Sequence, residues 1–163
     1  MFKKFAALAA AAALSLGVMT GCGVSGTTAD STGYSAENPL VLTLAHGLSE
    51  THTVHIAMTQ FADEVAEKTD GRIQVKIFPN GQLGSENENL EQLQAGVIAM
   101  TKVSAPGLAT YNDAFNTFGL PYIFNDTDDF YHVMDSQEMQ DFFLSTGDDG
   151  FVTLTYYTSG ARS

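Results

Sequence analysis

The chain has 163 residues, with seven basic and 19 acidic side chains and a formal net charge of −12 at pH 7. An acidic surface of this kind argues against nucleic acid and against anionic lipid as binding partners. One cysteine excludes an internal disulfide, and no Walker loop, GxGxxG, GxSxG or CxxC motif occurs, so the common nucleotide, α/β-hydrolase and thiol-redox sites lack support.

The N-terminus has the pattern of an export signal. Lys3 and Lys4 precede an apolar, Ala-rich stretch over 5–18, which is typical of a signal peptide and too short to span a bilayer. The sequence VMTGC then ends in Cys22 and resembles a lipobox, although Met19 stands where leucine is usual. We expect a lipoprotein signal peptide over 1–21 and lipid attachment to Cys22. The alternative is an ordinary secretory signal with an incidental cysteine.

Residues 22–38 are rich in Gly, Ser and Thr, which predicts a flexible, lipid-anchored tether. The folded domain is predicted over 39–163, a length that allows one modest core. Removal of Lys3 and Lys4 with the signal leaves five basic and 19 acidic residues, so the mature chain would carry a net charge of −14.

The first 40 residues of this domain read as β-α-β. Alternating apolar residues predict a strand over 39–46 and another over 72–78. Apolar residues at helical spacing predict a helix from about residue 53, with Gly71 as the C′ residue that ends it.

Ser85 followed by Glu88 is a capping-box pattern and predicts a second helix, which ends at Gly96. A third strand is predicted over 97–104, then a loop with a short helix and an aromatic-rich run. Two further helices begin at NDTDD and DSQEM, and a fourth strand is predicted over 150–160. Strands that alternate with helices in this way predict an α/β fold with a mostly parallel sheet.

Two cationic residues follow the carboxyl ends of predicted strands, where ligands bind in open α/β sheets. Lys102 interrupts an apolar strand near its end, and Arg162 follows Gly160. A guanidinium suits bidentate capture of a carboxylate. The alternatives are an outward lysine on an edge strand and a frayed terminal arginine.

Other titratable groups give weaker signals. His52 and His55 lie three residues apart near a helix start, so a metal site with His46 is conceivable, but the alternative is ordinary loop and cap histidines. Paired carboxylates such as Asp128 and Asp129 fit solvated helix ends. We therefore expect no metal, no cofactor and no enzymatic activity.

Five short motifs then occur in a fixed order from about residue 40 to the end: LAHGLSETH, TDGR, PNGQLGSE, LPYIF and GAR. Together they resemble the solute-binding proteins of TRAP (tripartite ATP-independent periplasmic) transporters, the DctP-like family. The resemblance implies a periplasmic-binding-protein-like fold, in which two α/β lobes close on a small organic acid such as a dicarboxylate or a sugar acid. It also implies that this chain is a truncated first lobe, with the second lobe missing.

The resemblance further implies a role as an extracytoplasmic receptor, anchored to the cell membrane, that passes its ligand to the small and large membrane subunits of a TRAP permease. The implied ligand-binding residues are His46, Glu86, Lys102, Ser104 and Arg162. Lys102 is not a general family residue, and with His46 it points to hydroxylated sugar acids. The alternatives are a ligand sensor of the same fold and an extracytoplasmic hydrolase that uses His46 or His52.

Overall fold

A three-stranded parallel sheet with a helix between successive strands forms the first half of the described chain. The computed structural model describes residues 33–158 and residue 160. The strands are β1 (Leu40–Ala45), β2 (Ile73–Phe78) and β3 (Met100–Thr101), in the spatial order β2-β1-β3. Helix α1 (Thr53–Lys68) joins β1 to β2, and α2 (Glu86–Gln94) joins β2 to β3. This arrangement confirms the predicted α/β fold with a mostly parallel sheet flanked by helices.

Short helices make up the second half: α3 (Ala105–Leu108), α4 (Thr127–Met134), α5 (Gln137–Ser145) and the 3₁₀ turns Asp113–Gly119 and Thr146–Asp149. Both predicted helix entries are confirmed. The Asp126 carboxylate accepts from the Asp129 N–H at 2.8 Å, and the Ser136 hydroxyl accepts from the Met139 N–H at 3.2 Å. No helix within the described residues is both long enough and apolar enough to cross a membrane.

The sheet follows the apolar pattern of the sequence. β1 lies in the centre and pairs in parallel with β2 from Leu40 opposite Ile73 to Ala45 opposite Phe78. Gln74 and Lys76 are exposed on β2, whereas the apolar residues that alternate with them are at least half-buried. The period of two therefore gives both the strand and the face that it buries.

Both helices of this half end in a Schellman motif. After α2, Gly96 is the C′ residue at φ +71°, and the N–H of Val97 reaches the carbonyl of Gln92 at 2.8 Å, as predicted for a glycine end. After α1 the prediction is wrong by one residue. Asp70 is C′ at φ +51°, and Gly71 takes the next position, where its N–H donates to the Ala66 carbonyl at 2.7 Å.

The third strand is shorter than the predicted 97–104. Because Val97 and Ile98 still direct their N–H groups to the carbonyl of Gln92, the chain cannot extend until the next residue. Backbone hydrogen bonds to β1 then run from Ala99 to Lys102.

The predicted fourth strand over 150–160 is wrong for the residues that the structure describes. Phe151 is buried, but Val152 is 50% and Leu154 is 70% exposed. The Thr153 N–H donates to the Thr146 hydroxyl at 2.9 Å, and no neighbouring strand pairs with described residues 151–158. Alternating apolar residues specify a strand only when a partner strand lies beside them.

One core cluster ties the two halves together. Leu90 of α2 packs with Phe115 and Phe151, all at most 8% exposed. The rings of Phe115 and Phe142 lie 5.2 Å apart between centroids. The second half is thus held against α2 by aromatic packing rather than by sheet pairing.

The compact unit begins at Tyr34, somewhat before the predicted start near Pro39. Ser35 and Asn38 exchange two backbone hydrogen bonds that close a turn. The N–H of Leu40 then donates to the Arg72 carbonyl at 2.9 Å, which places the start of β1 beside the start of β2.

Candidate functional site

The carboxyl ends of β1 and β3 bring two predicted site residues to one edge of the sheet. Ala45 pairs with Thr101 in parallel register, and the Lys102 N–H donates to the Ala45 carbonyl at 3.2 Å. His46 follows β1 and Lys102 follows β3, so both lie at this edge. In open parallel sheets ligands bind at the carboxyl edge.

Glu86, Lys102 and Ser104 form one hydrogen-bonded group there, which we call the Glu86 cluster. Glu86 is the first residue of α2. Its Oε1 lies 2.9 Å from Lys102 Nζ, and its Oε2 accepts from the Ser104 hydroxyl at 2.7 Å and from the Ser104 N–H at 3.2 Å. The Glu86 and Lys102 side chains keep 34% and 23% of their surface exposed, so the cluster is held by neighbours and still reaches solvent.

Electrostatics keep the Glu86 cluster in its ionised form. Burial favours the neutral acid, but the hydrogen bonds from Lys102 and Ser104 outweigh it and lower the pKa of Glu86. Glu86 is therefore a carboxylate at neutral pH and matches the charge of Lys102. The cluster presents an ion pair with polar oxygens and an ammonium group, rather than a free cation.

His46 lies near Lys102, close enough for the two side chains to interact electrostatically. Its side chain is completely buried, and both ring nitrogens are engaged: Nδ1 accepts from the Leu48 N–H at 3.1 Å, and Nε2 lies 3.0 Å from Nδ1 of His55. Burial, followed by the proximity of the basic side chains His55, Lys102 and His52, lowers the pKa of His46. A neutral imidazole that accepts at Nδ1 carries its proton on Nε2, so His46 donates to His55.

The other two histidines at this end of α1 have separate tasks. His52 is the N-cap of α1, where its Nδ1 accepts from the Val54 N–H at 3.1 Å. His55 lies in the first turn and is half-buried. Within the described residues no group of three or more His, Cys, Asp or Glu side chains is arranged to hold a metal ion.

Two open depressions lie elsewhere on the described surface. One of about 500 Å³ is lined by Asp128, Tyr131, His132, Asp135 and Ser136. The other, of about 270 Å³, lies between the start of α1 and the segment 156–158. Neither includes a predicted ligand-binding residue, so the Glu86 cluster stands as a surface group at the sheet edge.

Comparison with protein families identifies the family to which the chain belongs. The sequence model of the DctP family, described as "Bacterial extracellular solute-binding protein, family 7", matches residues 44–163. The chain belongs to the DctP family. This confirms the resemblance inferred from the five motifs, and it makes the chain part of a family of solute-binding receptors rather than of an enzyme class.

Individual proteins are similar to the chain in sequence or in fold. The uncharacterized protein YiiZ of Salmonella typhimurium is 39% identical over 131 residues, which are 80% of this chain and 40% of that protein. A TRAP periplasmic solute binding protein from Anaerococcus prevotii, solved with bound D-glucuronate, superposes with a TM-score of 0.71 at 30% identity, over 76% of this chain and 41% of the other. One from Sulfurospirillum deleyianum, solved with succinate, gives a TM-score of 0.68 at 29% identity, over 74% and 39%.

The comparison also gives the share of the relatives' length that this chain spans. It spans 40% of the length of YiiZ and a similar share of the solved structures. The matched ligands of those structures are a sugar acid in one case and a dicarboxylate in the other.

Four of the five predicted ligand-binding residues fall within the described chain. Glu86, Lys102 and Ser104 are in direct contact, and His46 is buried at the same edge of the sheet, within electrostatic reach of Lys102. Arg162 and the lipidation candidate Cys22 lie outside the described residues. The sequence analysis considered His55 only for a metal site, and its hydrogen bond to His46 became visible only in the structure.

Proposed function

We propose that the chain forms the first lobe of an extracytoplasmic receptor that captures a small hydroxylated organic acid and delivers it to the membrane subunits of a TRAP permease. The observation that carries the proposal is the Glu86 cluster, which places a carboxylate, an ammonium and a hydroxyl at the carboxyl edge of a DctP-family sheet. A second lobe, supplied by a longer reading frame, closes the cleft. The length of the relatives supports this part.

The charge balance of the Glu86 cluster favours a sugar acid over a simple dicarboxylate. Lys102 is already paired with Glu86 at 2.9 Å. A second ligand carboxylate at this point would face the like charge of Glu86, which costs free energy in a partly desolvated site. A ligand hydroxyl avoids that cost because it donates to Glu86 and accepts from Lys102, whose ammonium has N–H groups beyond the one that Glu86 engages. The relative solved with D-glucuronate supports this ligand class.

We assign the ligand's single carboxylate to Arg162. A planar guanidinium forms two parallel hydrogen bonds to a carboxylate, and it stays charged at any physiological pH. A cation at this point would also offset the net charge of −12 that the chain carries. Arg162→Lys is expected to weaken binding at least tenfold, because an ammonium loses the bidentate geometry, while Arg72→Lys serves as the matched control.

We also propose that Cys22 carries the lipid anchor. The VMTGC sequence at the end of an export signal supports it. In an expressing bacterium fed labelled palmitate, the wild-type protein is expected to take up label and partition with membranes. Cys22→Ser is expected to lose both properties, and an unlabelled wild-type protein would contradict the assignment.

The first test of the receptor function is the DNA that follows the Ser163 codon. A frame that stays open over a length similar to that of the relatives supports the two-lobe receptor. The protein of that whole frame is then titrated calorimetrically with D-glucuronate, D-galacturonate and succinate. We expect the two sugar acids to bind at micromolar concentration and succinate at least tenfold more weakly, whereas the 163-residue chain alone shows no response at millimolar ligand.

Glu86→Gln sharpens this test because it removes the negative charge and keeps the shape. Loss of a charged hydrogen bond is worth about 1.5–3 kcal/mol, so sugar-acid affinity should fall by roughly 10- to 100-fold. The preference over succinate should narrow at the same time. Glu91→Gln, an exposed position on the same helix, is the control and should change neither. Failure of every ligand to bind the full frame would contradict the proposed function.

A further inference from the structure

His46, at the carboxyl edge of the sheet, and His55 form a pair whose hydrogen bonding has a fixed direction. It starts at a backbone group that cannot change its role: the Leu48 N–H, which donates to Nδ1 of His46 at 3.1 Å. A nitrogen that accepts this bond has no proton of its own, so neutral His46 carries its proton on Nε2. The burial of His46 keeps the ring neutral, because desolvation disfavours a charged ring. A charged ring would also carry a proton on Nδ1 and would lose the hydrogen bond from the Leu48 N–H.

The proton position on His46 fixes the direction of its hydrogen bond to His55. Nε2 of His46 lies 3.0 Å from Nδ1 of His55, with the two rings tilted by 57°. Since the His46 nitrogen is the donor, Nδ1 of His55 is the acceptor, and a neutral His55 carries its proton on Nε2. The tautomer of half-buried His55 is thus set by a loop peptide group, the N–H of Leu48, which lies three residues beyond the end of β1.

The Nε2–H group of His55 reaches solvent without a protein acceptor. Among the described residues the only fully buried side-chain nitrogen or oxygen without a partner is Asn89 Oδ1, so Nε2 of half-buried His55 is accessible. None of the hydrogen bonds of the described chain engages it. His55 belongs to the first turn of α1, which carries no acidic residue that would compete for the proton.

We propose that His55 is a further ligand-contacting residue, whose Nε2–H donates to an oxygen of the bound acid, and that His46 is the positioning residue that fixes this donor. The inference rests on the proposed receptor function. It supplies what the Glu86 cluster lacks, which is a neutral donor of fixed direction. Such a donor stabilises a ligand oxygen that lies at one position, and it leaves the net charge of the site unchanged.

The tautomer is measured first, without ligand, by long-range ¹H–¹⁵N correlation NMR of the protein from the complete reading frame at pH 8. We expect both His46 and His55 to be protonated on Nε2. In His46→Phe the donor to Nδ1 is gone, and His55 should shift toward a mixture of tautomers. A wild-type His55 protonated on Nδ1 overturns the inference, whatever the protein binds.

Ligand contact is measured next with two isosteres of His55. Asparagine places its amide oxygen near Nδ1 and can still accept from His46, but it has no group at the Nε2 position. Glutamine places its amide nitrogen near Nε2. We expect His55→Asn to weaken D-glucuronate binding roughly tenfold and His55→Gln to recover part of that loss, in keeping with the value of one neutral hydrogen bond.

The matched control is His52→Asn, since asparagine is a good N-cap and His52 serves α1 only as a cap. Its affinity should equal that of the wild type. If the wild type binds and His55→Asn binds equally well, His55 is not a contact and the inference is overturned while the receptor function stands. If the wild type binds none of the three acids, the receptor function falls and the inference falls with it.

Discussion

Similar sequence patterns give different structures in the two halves of the described chain. In residues 40–104 every predicted strand and helix forms, although β3 is short. In residues 105–158 the predicted helices form, but the alternating segment at the end does not join a sheet. A helix satisfies its backbone groups within its own segment, whereas a strand needs a neighbour. The difference shows that the second half is held by its aromatic core, while the first half is held by pairing as well.

The largest expected effect tests whether that core carries the second half. Phe115 is 2% exposed and packs against Leu90 and Phe151. Phe115→Ala is expected to lower the free energy of unfolding by about 3–5 kcal/mol, because a large cavity opens. Leu154→Ala, at a position that is 70% exposed, should change it by less than about 0.5 kcal/mol. Equal losses in urea unfolding would show that residues 151–158 pack through both faces.

The next effect tests the turn that leads into α2 in the first half. Gly84 has φ +122°, and a Cβ there would lie 2.9 Å from Oε2 and 3.1 Å from Cβ of Glu88. Gly84→Ala is expected to cost about 1–3 kcal/mol, since both the backbone and the contact are strained. Gly47→Ala has open space and no positive φ, and it should be nearly neutral. A neutral Gly84→Ala would show that the capping box can move aside.

The pH dependence of the free energy of unfolding tests the buried state of His46 at the carboxyl edge of the sheet. The folded-state pKa of His46 lies below 6.5, so the unfolded chain binds more protons as the pH falls below that value. Stability from this group is complete above about pH 6.5 and is lost toward lower pH, by at most about 1.4 kcal/mol per pH unit. His46→Leu should flatten the curve between pH 7 and 5, and an identical slope in both proteins would contradict the buried neutral state.

The smallest effect tests a purely local signal. The Ser85 hydroxyl and the Glu88 carboxylate form the two halves of the predicted capping box. Ser85→Ala is expected to cost about 1 kcal/mol in thermal or urea unfolding. Ser145→Ala removes an exposed hydroxyl that bonds only within its own helix, and it should be close to neutral. A larger loss for Ser145 would reverse the order of importance of the two hydroxyls.

Part of the candidate site could be predicted from the sequence, because the ends of the strands that position it could be predicted. Lys102 and His46 both follow apolar segments, and parallel strands bring their carboxyl ends to one edge. The contact between Glu86 and Ser104 could not be predicted in this way. Its partners are 18 residues apart in the sequence, with α2 and β3 between them, and they come together only in the tertiary structure.

The sequence by itself determined the elements and most of their ends, including the capping box at Ser85 and the glycine end at Gly96. Those signals act through hydrogen bonds that span a few residues, so they need no knowledge of the fold. The tertiary structure decided that His46 is buried, that its ring meets that of His55, and that the described residues 151–158 lack a strand partner. Each of these depends on which segment lies alongside, and that is settled only when the sheet and the aromatic core assemble.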